Sequence, residues 1–332
     1  MINPQISVVM PVYNREQYLR ESIESILNQT FADFEFIIVD DQSTDSSWQI
    51  IQEYANKDKR IVAVKNTGKK GCYPARNCGH RLAKGKYIAV MDSDDIALPQ
   101  RLQTQFEFLE KNSNVSFCSA WLKNFEASDD IITLPTTHKE IRDTLFFNCC
   151  FSNGVAMFKN DPSIEYATDF NCSEDYDLWC RKIDLFQFAN IPKVLLLYRR
   201  HSSQTDGVLQ NNVANKVRLN NIQKIGVTLS EEEKNFYLEI FSGKFFPKNK
   251  SELLLATKML NNILTAGIKH KYKNLFKSHI QKFIRNVAET GIQNGITSLK
   301  LYFTIFKKWR IFETPRANLR YIYHCFRNLL HL

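Results

Sequence analysis

Short apolar, β-branched runs alternate with longer amphipathic stretches from Ile6 to Trp121. Ile6–Val12 (ISVVMPV), Phe34–Val39 (FEFIIV), Ile61–Lys65, Tyr87–Met91 (YIAVM) and Val115–Trp121 each predict a buried strand. Between the first two, Leu19, Ile23, Ile26 and Leu27 fall at helical spacing, with Asn14 as the expected N-cap. Ser43, Thr44 and Asp45 offer caps for a helix through Tyr54. A loop at Gly68–Gly71 precedes a short helix expected from about Pro74 to Leu82. A helix from Pro99 carries Leu102, Phe106 and Leu109 inward, and Val194–Tyr198 predicts a later strand. Strands alternating with helices imply βαβ crossovers and an α/β fold with a mostly parallel sheet, helices covering both faces. In such sheets ligands bind beyond the carboxyl ends of the strands.

Three of those ends carry candidate chemistry. The first, Pro11-Val12-Tyr13-Asn14, is also compatible with a proline turn and a helix cap. The second, Asp40-Asp41-Gln42-Ser43-Thr44-Asp45, places two adjacent carboxylates after a strand, where one cap needs only one of them. The third, Met91-Asp92-Ser93-Asp94-Asp95, holds three carboxylates within four positions. Their mutual repulsion must be offset by a cation or by solvent. Hard oxygen ligands suit Mg²⁺ or Mn²⁺, which favours the divalent cation.

Four segments in order resemble the family 2 glycosyltransferases of GT-A fold, which use nucleotide-activated sugars. ISVVMPVYNREQYLRESIESILNQTFADFEFIIVDDQSTDSS (Ile6 to Ser47) is similar to that family's opening, and GCYPARNCGHRLAKGKYIAVMDSDDIALPQRL (Gly71 to Leu102) to its central block. SEDYDLWCR (Ser173 to Arg181) resembles its acceptor-side motif, and YRRHSSQT (Tyr198 to Thr205) its closing motif. The resemblance spans about residues 5–205 and implies roles for individual residues. Pro11 and Tyr13 would shape the nucleotide pocket, and Asp41, with Asp40, would accept hydrogen bonds from base or ribose. Arg76 would lie near the diphosphate. Asp92 and Ser93 would contact the donor, and Asp94, with His201, would hold Mn²⁺ or Mg²⁺ against its phosphates. Asp175 would be the general base, with Glu174 ordering the site or binding acceptor. Arg199 and Arg200 would suit the diphosphate if their loop folds over it. Trp179 is expected to pack rather than to form a sugar platform. Gln42 departs from the glycine common at that turn.

Composition adds to this picture chiefly in the last third. The chain of 332 residues has a formal net charge of +9. From Glu231 to Leu332 there are 18 Lys and Arg against 7 Asp and Glu, so the basic character belongs to that region alone. Helices are expected at Leu253–Leu264, Tyr272–Val287, Leu299–Phe312 and Leu319–Leu330. Basic helices bearing aromatics suit an anionic membrane surface; packing on the catalytic domain or on a second copy of the chain is the competing reading. No nucleic-acid-binding motif accompanies the charge. A division into a catalytic domain at 1–228 and a basic helical region at 229–332 follows. The eight cysteines show no CxxC pair and no zinc spacing, as expected of reduced intracellular thiols. The opening MINPQISVVMPVYNRE lacks a basic n-region and a cleavage site, so a cytoplasmic location is expected, peripheral to the inner face of the plasma membrane if the helices bind it.

The implied reaction moves a sugar, with inversion, from a nucleotide diphosphate donor (a UDP-sugar is expected) to a glycan or lipid-linked acceptor of a bacterial surface polysaccharide. Two alternatives are a nucleotidyltransferase and a non-catalytic sugar-nucleotide-binding partner on the same fold. The first expects a glycine-rich loop with a basic residue after strand one, where this chain has Pro11-Val12-Tyr13-Asn14. Asp92, Asp94 and Asp175 argue against the second.

Overall fold

The computed structural model describes residues 3–167, 173–201, 207–241, 244–270, 272 and 274–293. In chain order the elements of its first part are β1 (Ile6–Val12), α1 (Leu19–Leu27), β2 (Phe34–Asp40), α2 (Ser47–Lys57), β3 (Ile61–Lys65), α3 (Cys72–Leu82), β4 (Tyr87–Val90), β5 (Ile96–Ala97) and α4 (Arg101–Lys111). Next come β6 (Val115–Phe125), β7 (Ile131–Ile132), α5 (His138–Leu145), β8 (Met157–Lys159), α6 (Glu174–Lys182), β9 (Gln187–Arg199) and α7 (Gly207–Lys224). The chain divides into two compact units, Met1–Val217 and Arg218–Leu332, the division falling inside α7.

In the first unit the described residues form a nine-stranded sheet of order β3-β2-β1-β4-β8-β6-β9-β5, with β7 on β6. β1 to β4 are mutually parallel, and β6 and β9 are parallel to each other. β8 runs antiparallel to both β4 and β6, so the sheet is mixed at its centre. Successive side chains of β1 enter different cores, because a strand presents alternate residues to opposite faces. Val8 and Met10 pack with Leu19, Ile23, Ile26 and Leu102 of α1 and α4. Val9 packs on the other face with Tyr73 and Ala75 of α3, and with Phe117 and Trp179. Burial on both faces explains why the first strands are continuous apolar runs rather than alternating ones. Trp179 is fully buried, its ring edge-on to Phe117 and Phe151, which is the packing role expected of it.

Asn14 does not cap α1. That helix starts at Leu19 with Tyr18 at its N-cap, and Asn14 takes a left-handed conformation, φ 49°. Its amide is spent on the β2–α2 loop: Oδ1 accepts from the Thr44 N–H at 2.8 Å and the Asn14 N–H donates to Ser43 Oγ at 3.1 Å. Asparagine tolerates that backbone better than most residues. Here it joins two neighbouring strand ends.

The second unit contains α8 (Glu231–Phe241), α9 (Lys250–Lys269) and α10 (Asn274–Gln293). α9 is capped by Asn249, whose side chain accepts from the Glu252 N–H, and it buries Leu253, Ala256, Met259, Leu260 and Ile263 along one stripe. The close approach of α9 to α10 depends on Gly267, where a Cβ would lie 2.3 Å from the Phe276 ring. α9 contains the expected helix at 253–264, and α10 takes up the one expected at 272–287 from Asn274 onward; those at 299–312 and 319–330 lie outside the described residues. Among the described residues no helix is long and apolar enough to cross a membrane.

Candidate active site

The site starts from a proline. Val9 accepts from the Met91 N–H at 3.0 Å, the last rung between β1 and β4. The next amide of β1 facing β4 belongs to position 11, and proline has none. The ladder stops there, and the chain after Met91 leaves the sheet as the acidic turn. Tyr13, just beyond, is 42% exposed and carries Lys70 Nζ 4.0 Å from its ring centre.

Asp41 donates its N–H to the Val12 carbonyl at 2.7 Å, which sets it beside the end of β1. Its two carboxylate oxygens accept from Asn66 Nδ2 at 2.6 Å and from the Gly71 N–H at 2.7 Å. Asp40 is buried, and its Oδ1 has no hydrogen-bond partner among the described residues. Gln42 adopts φ 63°, the left-handed backbone that glycine takes at least cost. Its Nε2 donates to the carbonyls of Asn66 (3.3 Å) and Gly68 (3.1 Å), so the turn survives and ties down the next loop.

The acidic turn meets two arginines from elsewhere. Arg76 of α3 donates from Nη2 to Asp92 Oδ1 at 2.6 Å and from Nη1 to Glu174 Oε1 at 2.5 Å. Tyr166 lies 5.6 Å from that guanidinium, and its hydroxyl bonds the Asn153 amide. Gly154 closes the other side: a Cβ there would stand 2.7 Å from Asp92 Oδ2 and 3.3 Å from Asp95 Oδ2. Ser93 is buried in the same turn. Asp94 Oδ2 accepts from Arg15 Nε at 3.2 Å and faces His201 Nε2 at the same distance. Asp95 Oδ1 accepts from the Arg199 N–H at 3.0 Å, while its buried Oδ2 is unpartnered among the described residues. Burial, then the charges of Asp92 and Asp94, push the Asp95 carboxyl well above the usual carboxylate range.

Arg199 is not available as the sequence suggested. It is buried, its Nε donates to the Asp94 carbonyl at 2.7 Å, and its Nη atoms pair with Glu126 and Glu21. With β5 antiparallel to β9, it clamps the acidic turn to the strand that delivers His201. Arg200 is stacked near Tyr198, 5.2 Å from its ring centre.

Glu174 and Asp175 open α6 after Ser173, which is left-handed at φ 54°. Asp175 Oδ1 accepts from the Tyr176 N–H at 2.7 Å. Burial, with the Asp92 charge adding, holds the Asp175 carboxyl above its ordinary value. Burial and the Asp175 charge raise Glu174 to about 7, against the opposing pull of Arg76. Cys72, one residue past the Gly71 amide that binds Asp41, lies within the fields of Arg76, Glu174, Asp92 and Asp41. The third strand end and the start of α6 are thus joined through Arg76 of α3, and the second strand end reaches the start of the same helix through Gly71.

A family model, "Glycosyl transferase family 2", matches residues 7–163. An uncharacterized glycosyltransferase of Methanocaldococcus jannaschii is 40% identical over 208 residues, 60% of this chain and 72% of that protein. The chain belongs to glycosyl transferase family 2. An Escherichia coli relative, the UDP-Glc:alpha-D-GlcNAc-diphosphoundecaprenol beta-1,3-glucosyltransferase WfaP, is 30% identical over 67% of this chain and 87% of its own. Two solved structures share the fold at low identity. Staphylococcus aureus TarS 1-349, in complex with UDP-GlcNAc, aligns at TM-score 0.57 and 19% identity over 92% of this chain and 91% of that one. The Pyrobaculum calidifontis mannosyltransferase PcManGT, in complex with GDP-Man and Mn²⁺, aligns at 0.52 and 15% over 88% and 87%. The protein is thus a family 2 glycosyltransferase with a GT-A-like mixed, mostly parallel sheet.

For this family 2 enzyme the fit of a divalent cation can be tested on the donor set. Among the described residues no group of three or more His, Cys, Asp and Glu could hold an ion by itself. Asp94 and His201 bring one carboxylate and one imidazole within 3.2 Å of each other. Mg²⁺ is commonly held by one or two carboxylates, with water and substrate phosphates completing its shell, so these residues fit an ion that arrives with a diphosphate.

Sequence reasoning missed Asn66, Arg15, Asn153 and Gly154. Asn66 had a usable signal, since it directly follows β3 and so lies at a fourth carboxyl end of the sheet. Arg15 follows Asn14 but gives no local sign of reaching a carboxylate 79 positions away. Gly154 sits in an uncharged run whose purpose becomes visible only against Asp92.

Proposed function

We propose that this enzyme transfers a sugar from a UDP-sugar to a hydroxyl of a glycan or lipid-linked acceptor, with inversion and with a divalent cation, in bacterial surface glycan synthesis. The observation that carries the reading is Arg76, which joins Asp92 of the acidic turn to Glu174 beside Asp175. The carboxylates assigned to the donor and acceptor sides are held by one guanidinium, which supports a reading in which both substrates meet there. WfaP, whose name gives a UDP-sugar and a lipid diphosphate acceptor, supports the donor and acceptor classes.

In this reading Tyr13 stacks on the base, with Pro11 beside it, and Asp41, with Asp40, accepts from base or ribose. Arg76, Asp92 and Ser93 lie along ribose and diphosphate. Asp94 and His201 would hold Mn²⁺ or Mg²⁺, which when bound counters the charge growing on the departing diphosphate. Asp175 takes the proton of the acceptor hydroxyl. The acceptor oxygen bonds to the anomeric carbon as the bond from that carbon to the diphosphate breaks, and attack from the opposite face inverts the centre. The raised proton affinity of Asp175 suits it to this task. The catalytic domain is assigned to 1–228, and the basic region at 229–332 to an anionic inner membrane face, where a lipid-linked acceptor would be met.

The test is UDP release from UDP-sugars with Mn²⁺, alongside donor binding. Asp94→Ala is expected to abolish metal-dependent donor binding. Asp175→Asn is expected to bind donor and to lose transfer by about 10²-fold or more. Full transfer by that variant would remove Asp175 as base. No binding or release with any donor would count against the reading, and pyrophosphate exchange would favour a nucleotidyltransferase.

A further inference from the structure

Asp94 is already neutralised by a side chain of its own chain. Arg15 Nε donates to Asp94 Oδ2 at 3.2 Å, the same oxygen that faces His201. The guanidinium does not hang free: Nη1 donates to the carbonyls of Asn14 (3.1 Å) and Tyr13 (3.3 Å). The Arg15 N–H is fixed on Ser47 Oγ at 2.8 Å. A permanent cation therefore bridges the Tyr13 and Asn14 carbonyls and the carboxylate assigned to the divalent ion. Two cations cannot share one carboxylate oxygen at contact without strong repulsion.

We propose that Arg15 couples the arrival of the donor's diphosphate to metal binding at Asp94, a proposal that rests on the reading of Asp94 given above. Without nucleotide, Arg15 occupies Asp94 Oδ2 and competes with a divalent cation for it. A diphosphate carries more negative charge than one carboxylate and draws the guanidinium away, which frees that oxygen. Donor and metal then bind with positive coupling, and by linkage each favours the other equally. The pair is partly exposed (27% for Arg15 and 16% for Asp94), so the competition is modest. It corresponds to a factor of roughly 1.5 to 5 in metal affinity, the range of a partly exposed ion pair.

The experiment measures Mn²⁺ binding to the full chain from the electron paramagnetic resonance signal of free Mn²⁺, with and without UDP. In the wild type UDP is expected to tighten Mn²⁺ binding. Arg15→Gln is expected to bind Mn²⁺ alone roughly 1.5- to 5-fold more tightly and to show correspondingly less tightening by UDP. Arg15→Lys, which keeps the charge, is expected to retain most of the coupling. An Arg15→Gln variant whose nucleotide-free Mn²⁺ affinity is unchanged or weaker overturns the proposal. Asp94→Ala separates the two failures. If it leaves Mn²⁺ binding intact, the reading of Asp94 falls and this proposal with it; if it abolishes binding while Arg15→Gln changes nothing, only the coupling fails.

Discussion

Arg76 donates to Glu174 across 98 positions of chain, at 2.5 Å and with both side chains 7% exposed. A buried pair of this kind is worth little against an apolar substitute, but removing one partner strands the other charge. Arg76→Ala leaves Glu174 and Asp92 without their shared cation. At pH 8, where Glu174 is ionised, it is expected to cost about 3–5 kcal/mol of unfolding free energy, read by urea denaturation. A loss below about 1 kcal/mol would mean that water reaches Glu174 and that the guanidinium is not the brace described.

Glu174 also makes stability depend on pH. Its carboxyl is raised from 4.5 to about 7 in the folded chain, chiefly by burial. Between those values the folded protein keeps a proton that the unfolded chain has released, so stability falls as pH rises through the window and levels off above it. Glu174→Gln removes this contribution. The urea midpoint of the wild type should drop more between pH 5 and pH 7.5 than that of the variant; parallel curves would show that Glu174 stays ionised throughout.

Gly154 tests how tightly the acidic turn is walled. Its backbone lies outside the left-handed region, so alanine is conformationally allowed there, yet the new Cβ would sit 2.7 Å from Asp92 Oδ2. The carboxylate must move. Gly154→Ala is expected to cost about 1–3 kcal/mol of stability by overpacking. Transfer should fall by about 10²-fold if the displaced Asp92 mispositions the donor. Unchanged kinetics would place the catalytic geometry away from this wall.

Much of the first unit was legible from local pattern. β1 to β4 announce themselves as apolar, β-branched runs, and Asp40, Asp41, Asp92 and Asp94 follow such runs directly. Their position at carboxyl ends of parallel strands is a consequence of βαβ connection. The antiparallel β8 was not legible, because three residues, Met157–Lys159, carry no periodicity. Arg199 is deceptive in sequence for a related reason. A basic residue beside His201 looks like an anion contact until Glu21, Glu126 and the Asp94 carbonyl are seen around it.

The amino-acid order alone therefore determined where β1 to β4 and the helices between them form and which carboxylates follow those strands, since hydrophobic period acts between near neighbours in the chain. Only the tertiary structure decided which charges share partners: Arg76 with Asp92 and Glu174, Arg15 and His201 with Asp94, Asn66 with Asp41. Those pairings depend on strand order and crossover path, which bring together groups dozens of residues apart, and a carboxylate's proton affinity follows from what surrounds it there rather than from its neighbours in sequence.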